Sequence, residues 1–409
     1  MTSDLMKDRT GKEYPVQEIF ASAAEDYLAH HEVSDEQRKV VSCISCCKTG
    51  ELGYNISFCD TCGFTEIRPN SCNNRHCPCC QAPLEQKWVQ ARDSELIKGI
   101  AYYHAIFTVP YELNDLIYDN QKGLYSLLFR CTSDTLLTLC RDRKYLGATP
   151  GLVMVLHTWG QKLNFHPHIH TMLSGGGLKP DGKFVEAAHK GYLLPKEVMG
   201  RLFRGKFLDG LKKLHDAGKL DLKGRCSALR NSYGWREFID RLYKKPWIPH
   251  IKETFNGNGN AVKYLARYAY RTAIANSRIV SVSEEEVSFR YKDYADGSKA
   301  KTLTVTSEEF VGLFLQHVLP KGFCRIRFAG FLANSCKTEK LKLICRLRNT
   351  VFRENPVRGK NTAYLLKLIY GTDICTCPNC RSALRFLRAS PGIGKEDLLD
   401  FCFRSSKTV

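Results

Sequence analysis

Nine of the 19 cysteines fall between Cys43 and Cys80, most of them in close pairs, and no other feature restricts so tightly what this chain can fold into. A small secreted protein uses such density for disulfides, but clustered pairs in a long chain point to metal. In Cys59-x-x-Cys62-Gly63 the two-residue spacer lets both thiolates of one turn reach a tetrahedral zinc, and Gly63 permits the tight knuckle. Cys59, Cys62, Cys77 and Cys80 then form two CxxC pairs across a fourteen-residue gap, the pattern expected for one zinc ion. For a second ion the spacing offers Cys47, Cys72 and His76 with Cys43 or Cys46, leaving Cys79 as a buried thiol. Near the C-terminus, Cys377-Pro378-Asn379-Cys380 is a lone CxxC that needs two more ligands, with Cys375 and Cys402 as weak candidates.

Charge narrows the partners. Lysine and arginine number 61 against 42 acidic residues, a net +19, and a surplus of that size serves a polyanion. Met1–Tyr14 is polar and charged, no apolar run approaches the roughly 20 residues that span a bilayer, and no basic amphipathic helix stands out. The expected partner is therefore nucleic acid rather than a membrane, in a cytoplasmic protein. Residues 321–368 hold 12 basic against 2 acidic side chains, and this stretch is the expected nucleic-acid face, a plain solvated surface being the competing reading. Candidate DNA contacts are Arg68 and Arg75 on the cysteine knuckles, Arg267 and Arg271 further along, and Arg325 and Arg327 in the basic stretch.

Periodicity gives a coarse map. Val16, Ile19, Phe20, Ala23 and Tyr27 recur at helical spacing, and Ser34 with Gln37 forms a capping pair for a second helix. A helix over 84–99 leads to a strand at 104–109 closed by Pro110, and 113–139 is mostly helical. The apolar run at 151–158 and the 168–173 segment are adjacent strands of a central sheet, followed by three glycines read as a turn. A basic helical segment over 195–223, a hairpin at 278–291, a further strand at 301–305 and a helix capped by Ser307 complete the map. No repeat, low-complexity tract or P-loop is present.

The chemistry centres on Phe165-His166-Pro167-His168-Ile169-His170. Residues i and i+2 of a strand share a face, so His168 and His170 point together and make half a divalent-metal site. Gln161, His166 or His157, in that order, would supply the third ligand. A helix over 261–276 carries Tyr264 and Tyr268 at i and i+4 on one face, the competing reading being an aromatic packing stripe. Mg²⁺ or Mn²⁺ beside a tyrosine suits phosphoryl transfer, because the cation neutralises phosphate charge and lowers the phenol pKa, while the covalent phosphotyrosine stores the bond energy.

The segments SCNNRHCPCCQ, IFTVPYELN, VLHTWGQKLNFHPHIH, YLARYAYRTAIANSRI, YKDYADG and HVLPKGFCRIRFAGFLAN closely resemble, in order, the transposases of the insertion sequence 91 family, which are rolling-circle enzymes of the HUH (histidine, hydrophobe, histidine) superfamily. The resemblance implies that His168 and His170 bind the active-site metal and that Tyr264 and Tyr268 are nucleophiles. It also implies that Cys47, Cys59, Cys62, Cys72, His76, Cys77 and Cys80 belong to a zinc-binding module. The expected fold is α+β: a helical arm at 1–42, a zinc-binding domain at 43–98, a HUH nuclease domain with a central antiparallel sheet flanked by helices at 99–350, and a basic C-terminal region at 351–409 with a possible CxxC zinc site. The expected activity is to nick and join single-stranded DNA at transposon ends, with transposon ends and target, single-stranded or hairpin, as partners, alongside the host replication machinery in the bacterial nucleoid. Rival expectations are a plasmid replication initiator with the same chemistry and a non-catalytic zinc-dependent DNA-binding protein.

Overall fold

The computed structural model describes residues 15–187, 193–256, 268–270, 272–371 and 373–389. Two helices, α1 (Pro15–His30) and α2 (Asp35–Ser45), lead to the hairpin β1 (Tyr54–Phe58) and β2 (Thr65–Pro69), then α3 (Gln81–Asp93). Next come β3 (Ala101–Thr108), α4 (Asn114–Asp119), α5 (Gln121–Arg141), β4 (Thr149–Trp159), β5 (Phe165–Leu178) and the short β6 (Phe184–Glu186). The chain continues through α6 (Lys196–Asp216), α7 (Ser232–Lys244) and β7 (His250–Asn256) to a meander of β8 (Ile279–Val282), β9 (Glu286–Asp293) and β10 (Lys299–Thr306). It ends with α8 (Ser307–Leu315), β11 (Ile326–Gly330), α9 (Lys337–Leu347), α10 (Thr362–Tyr370) and β12 (Arg385–Ala389).

The fold is α+β, built on an antiparallel sheet in the order β11-β4-β5-β3-β7, with β6 added to the far end of β5. β4 reads as a near-continuous apolar run because both of its faces are covered. Leu152, Met154 and Leu156 point into a core shared with Phe107, Leu128 of α5 and Phe203 of α6. Val153 and Val155 point the other way, towards Trp88 of α3, Ala269 and Ile344 of α9. Alternation along β4 thus sorts one strand between two helical layers.

Three expectations change. Gly175–Gly177 is not a turn: β5 runs through it, with Gly176 opposite Glu186 and Gly177 opposite Pro150. A Cβ on Gly177 would lie 2.7 Å from the Thr149 carbonyl oxygen, so the absent side chains are what let the strands approach. The reversal falls at Gly182, where φ is +82°. The cap of α8 is Thr306 rather than Ser307, its hydroxyl accepting from the Glu309 amide at 3.0 Å. The helix read over 261–276 does not reach its expected end: Tyr268 and Ala269 are helical and residues 272–275 are not.

The capping box of α2 forms as read, Ser34 and Gln37 satisfying each other's backbone amides. α1 and α2 pack on the β8-β9-β10 layer and α8 in one core, where Phe20 meets Phe314 edge-on at 5.0 Å. Among the described residues, no helix is long and apolar enough to cross a membrane.

Candidate active site and zinc centres

The antiparallel register builds the candidate active site on one face of the sheet. His157 of β4 lies opposite His168 of β5, and His168 and His170 share a face two residues apart. The ligand atoms of the three imidazoles all lie within 4.8 Å of one another. His168 Nδ1–H donates to the His166 carbonyl at 2.7 Å and His157 Nε2–H to the Tyr268 carbonyl at 2.6 Å, bonds that fix the orientation of both rings. Nε2 of His168 and Nε2 of His170 are 3.0 Å apart. Two ligand atoms at right angles and about 2.1 Å from one ion lie about 3.0 Å apart, so the pair fits a shared cation. Burial holds the His168 ring down to about 4, which keeps it neutral and able to ligate at pH 7.

Two further groups define the site. Nδ1 of His170 lies 2.9 Å from Nε2 of His104 on β3, whose own pKa is lowered to about 4 by burial. A neutral His104 accepts from Nδ1–H and aims the His170 lone pair at the cluster. The Tyr268 ring stacks on His170, centroids 4.1 Å apart and planes 27° from parallel, and on His104 at 5.4 Å. Tyr268, the three histidines and Gln161 line one cleft.

Gln161, preferred from sequence as the third ligand, does not join the imidazoles. Its amide donates to the Tyr294 hydroxyl at 3.4 Å and accepts from the Lys292 amide at 3.3 Å. It sits in the turn beyond the end of β4, whereas strand register carries His157 to His168. His166 offers its carbonyl rather than its ring. His104 was not singled out by sequence reasoning; its only signal is its place in an alternating strand, which says nothing of what stands across the ladder. Tyr264, Arg267 and Arg271 lie outside the described residues.

The cysteines regroup. Cys47, Cys72, Cys77 and Cys80 form one cluster and Cys59, Cys62, Cys377 and Cys380 another. The expected array of Cys59 and Cys62 with Cys77 and Cys80 is therefore not formed. Cys59 and Cys62 occupy the tip of the β1–β2 hairpin, and the chain returns along five residues of β2, about 17 Å, before Cys77 and Cys80 meet Cys47 at the end of α2. In the first cluster Cys47 and Cys72 each lie 3.6 Å from Cys80, and the Asn74 amide donates to Cys72 Sγ at 3.4 Å. His76, assigned to zinc from sequence, faces away: its Nε2 accepts from the Leu319 amide at 3.4 Å, and burial holds its pKa well below the ordinary range. Cys46 instead donates to Glu51 at 2.9 Å.

The arginines also divide. Arg75 is spent inside the fold, donating to the carbonyls of Phe323, Leu319 and Pro320 at 2.6, 3.3 and 3.1 Å. Arg325 is only 8% exposed, with its pKa lowered to about 10 by burial, and it stands over Tyr270 at 5.9 Å. Arg327 lies over Phe129 at 4.5 Å and donates to Ser126. All three side chains are engaged within the fold. Arg68 stays at the surface, paired with Glu66 at 2.8 Å.

A basic chain with four-cysteine clusters able to hold metal and an imidazole–tyrosine cleft on an antiparallel sheet has the make-up of a DNA-processing enzyme. The family described as "Transposase zinc-binding domain" matches residues 19–109, and that described as "Putative transposase" matches 151–340. The chain is 42% identical over 334 residues to "Putative transposase y4qJ" of Sinorhizobium fredii, covering 81% of this chain and 83% of the relative. It is 28% identical over 368 residues to "Transposase for insertion sequence element IS801" of Pseudomonas savastanoi pv. phaseolicola, covering 89% and 86%. No solved structure matches. The chain belongs to the insertion sequence 91 family of transposases, and its N-terminal region is a zinc-binding domain.

Proposed function

We propose that this transposase nicks and rejoins one DNA strand at the transposon ends through a 5′-phosphotyrosine, in rolling-circle fashion. The observation that carries the reading is Tyr268 stacked at 4.1 Å on one of three clustered, inward-facing imidazoles. His157, His168 and His170 would hold the divalent cation, which when bound neutralises charge on the non-bridging phosphate oxygens and favours loss of the phenolic proton. Imidazole ligands favour Mn²⁺ over the harder Mg²⁺. Tyr268 attacks phosphorus, the bond to the 3′ oxygen breaks, and the strand remains joined to the protein at its 5′ phosphate with a free 3′ hydroxyl. That hydroxyl is a primer for host replication, and the reverse attack reseals DNA at the target. Tyr264, four residues earlier in sequence, is the second nucleophile that lets one transfer follow another. The zinc-binding domain would help to hold the transposon end.

The test is a cleavage assay on labelled single-stranded DNA carrying the element's ends, with Mn²⁺ or Mg²⁺. A covalent adduct that requires the cation, and is lost in the Tyr264→Phe/Tyr268→Phe double variant, is the expected result. DNA binding without any adduct would overturn the nuclease reading in favour of a binding protein.

A further inference from the structure

The second thiolate cluster is built from the two ends of the chain. Cys59 Sγ lies 3.4 Å from Cys380 Sγ and Cys62 Sγ lies 3.6 Å from Cys377 Sγ, across sequence separations of 321 and 315 residues. A disulfide needs about 2.05 Å, so these are not bonded pairs. Sulfurs around a tetrahedral zinc at about 2.3 Å lie about 3.8 Å apart, close to what is observed.

The two halves repeat one backbone device. The Cys59 amide donates to the Phe64 carbonyl at 2.8 Å, and the Gly63 amide to the Cys59 carbonyl at 2.9 Å. In the C-terminal half the Cys377 amide donates to Ser382 at 2.8 Å, and the Arg381 amide to Cys377 at 3.1 Å, at the same relative positions. Gly63 has φ +71° and its counterpart Arg381 φ +66°. A side-chain-bearing residue in this left-handed region is strained, and something must hold it there. The surrounding core is too small to do so. β12 pairs with β1, but among the described residues the buried apolar side chains of that sheet are Ile56 and Phe58, with Tyr54, Ile67 and Leu387 half-covered around them. Small sheets with so little apolar burial need a metal or a disulfide. An ion pair of Arg385 with Asp60 at 3.0 Å adds little at an exposed edge.

We propose that Cys59, Cys62, Cys377 and Cys380 bind a zinc ion that clasps the C-terminal hairpin to the N-terminal zinc domain. Half of the ligands fall outside the residues 19–109 matched by the zinc-binding family. The three-stranded sheet β12-β1-β2 and the groove between the zinc domain and the C-terminal segment, lined by Arg68, Asn70, Phe386 and Arg388, thus depend on this ion. The clasp stands apart from the nuclease reading, since none of its ligands lies in the active-site cleft.

The test is cobalt substitution of the full-length protein, reading the thiolate-to-metal charge-transfer band per chain, to which an imidazole site contributes nothing. Wild type should show two four-thiolate centres. Cys377→Ser/Cys380→Ser should halve the band, Cys59→Ser/Cys62→Ser should halve it equally, and combining all four should cause no further loss. A full band in Cys377→Ser/Cys380→Ser, or additive losses from the two pairs, would overturn the clasp. If the serine variants fail to fold, Cys377→His decides: a three-thiolate, one-imidazole centre beside an intact four-thiolate centre supports the proposal, and a spectrum unchanged from wild type sinks it.

Discussion

His157 of β4 stands directly across the ladder from His168 of β5, rings 5.5 Å apart at 80°, while its own Nε2–H is anchored to the backbone of the residue proposed as nucleophile, Tyr268. One imidazole therefore ties the candidate metal site to the tyrosine segment. We predict that His157→Ala weakens Mn²⁺ binding by more than the roughly 10–100-fold typical of losing an outer partner. Gln161→Ala should leave it little changed. Titration calorimetry of both variants checks this, and equal losses would restore Gln161 as a ligand.

His104 acts through His170. His104→Leu removes the acceptor for Nδ1–H without touching the cluster, so affinity for Mn²⁺ should fall about 10–100-fold with the fold intact. His104→Gln, which keeps an acceptor, should recover part of it. Unchanged affinity in the leucine variant would show that the His104 contact only fills space.

His317 sets a pH dependence of stability. Its Nε2–H donates to the Leu163 carbonyl at 2.9 Å, its Nδ1 accepts from the Thr158 hydroxyl at 3.2 Å, and burial lowers its pKa to about 4. The unfolded histidine titrates near 6.5, so between these values the unfolded chain binds more protons. Stability present above about pH 6.5 is then lost as pH falls towards 4. Denaturant midpoints at pH 7.5 and pH 5 should differ in that sense, and by less in His317→Gln.

Arg75 belongs to the fold. Arg75→Met removes the guanidinium from the part-buried carbonyls of Phe323, Leu319 and Pro320, of which Pro320 keeps the Phe323 amide, and should lower stability by about 2–4 kcal/mol. The salt dependence of DNA binding should not change. A slope smaller by about one would instead mean a lost phosphate contact.

Local signals carried far in this chain. The spacing of His168 and His170 fixed their common face, Ser34 and Gln37 fixed a helix start, and the CxxC pairs announced metal, because strand period, capping and knuckle geometry each operate within a few residues. The resemblance to the insertion sequence 91 transposases was likewise legible in continuous segments. Partnership was not. That His157 rather than Gln161 joins the histidines depends on the β4–β5 register, and that Cys59 and Cys62 meet Cys377 and Cys380 depends on β12 returning to β1 across more than three hundred residues. All CxxC pairs look alike in one dimension, and a buried arginine such as Arg325 counts the same in a charge sum as a solvated one. Only the packed chain decides which thiolates share an ion and which cations reach solvent, because those choices are made by contacts between segments that carry no record of each other in their own spacing.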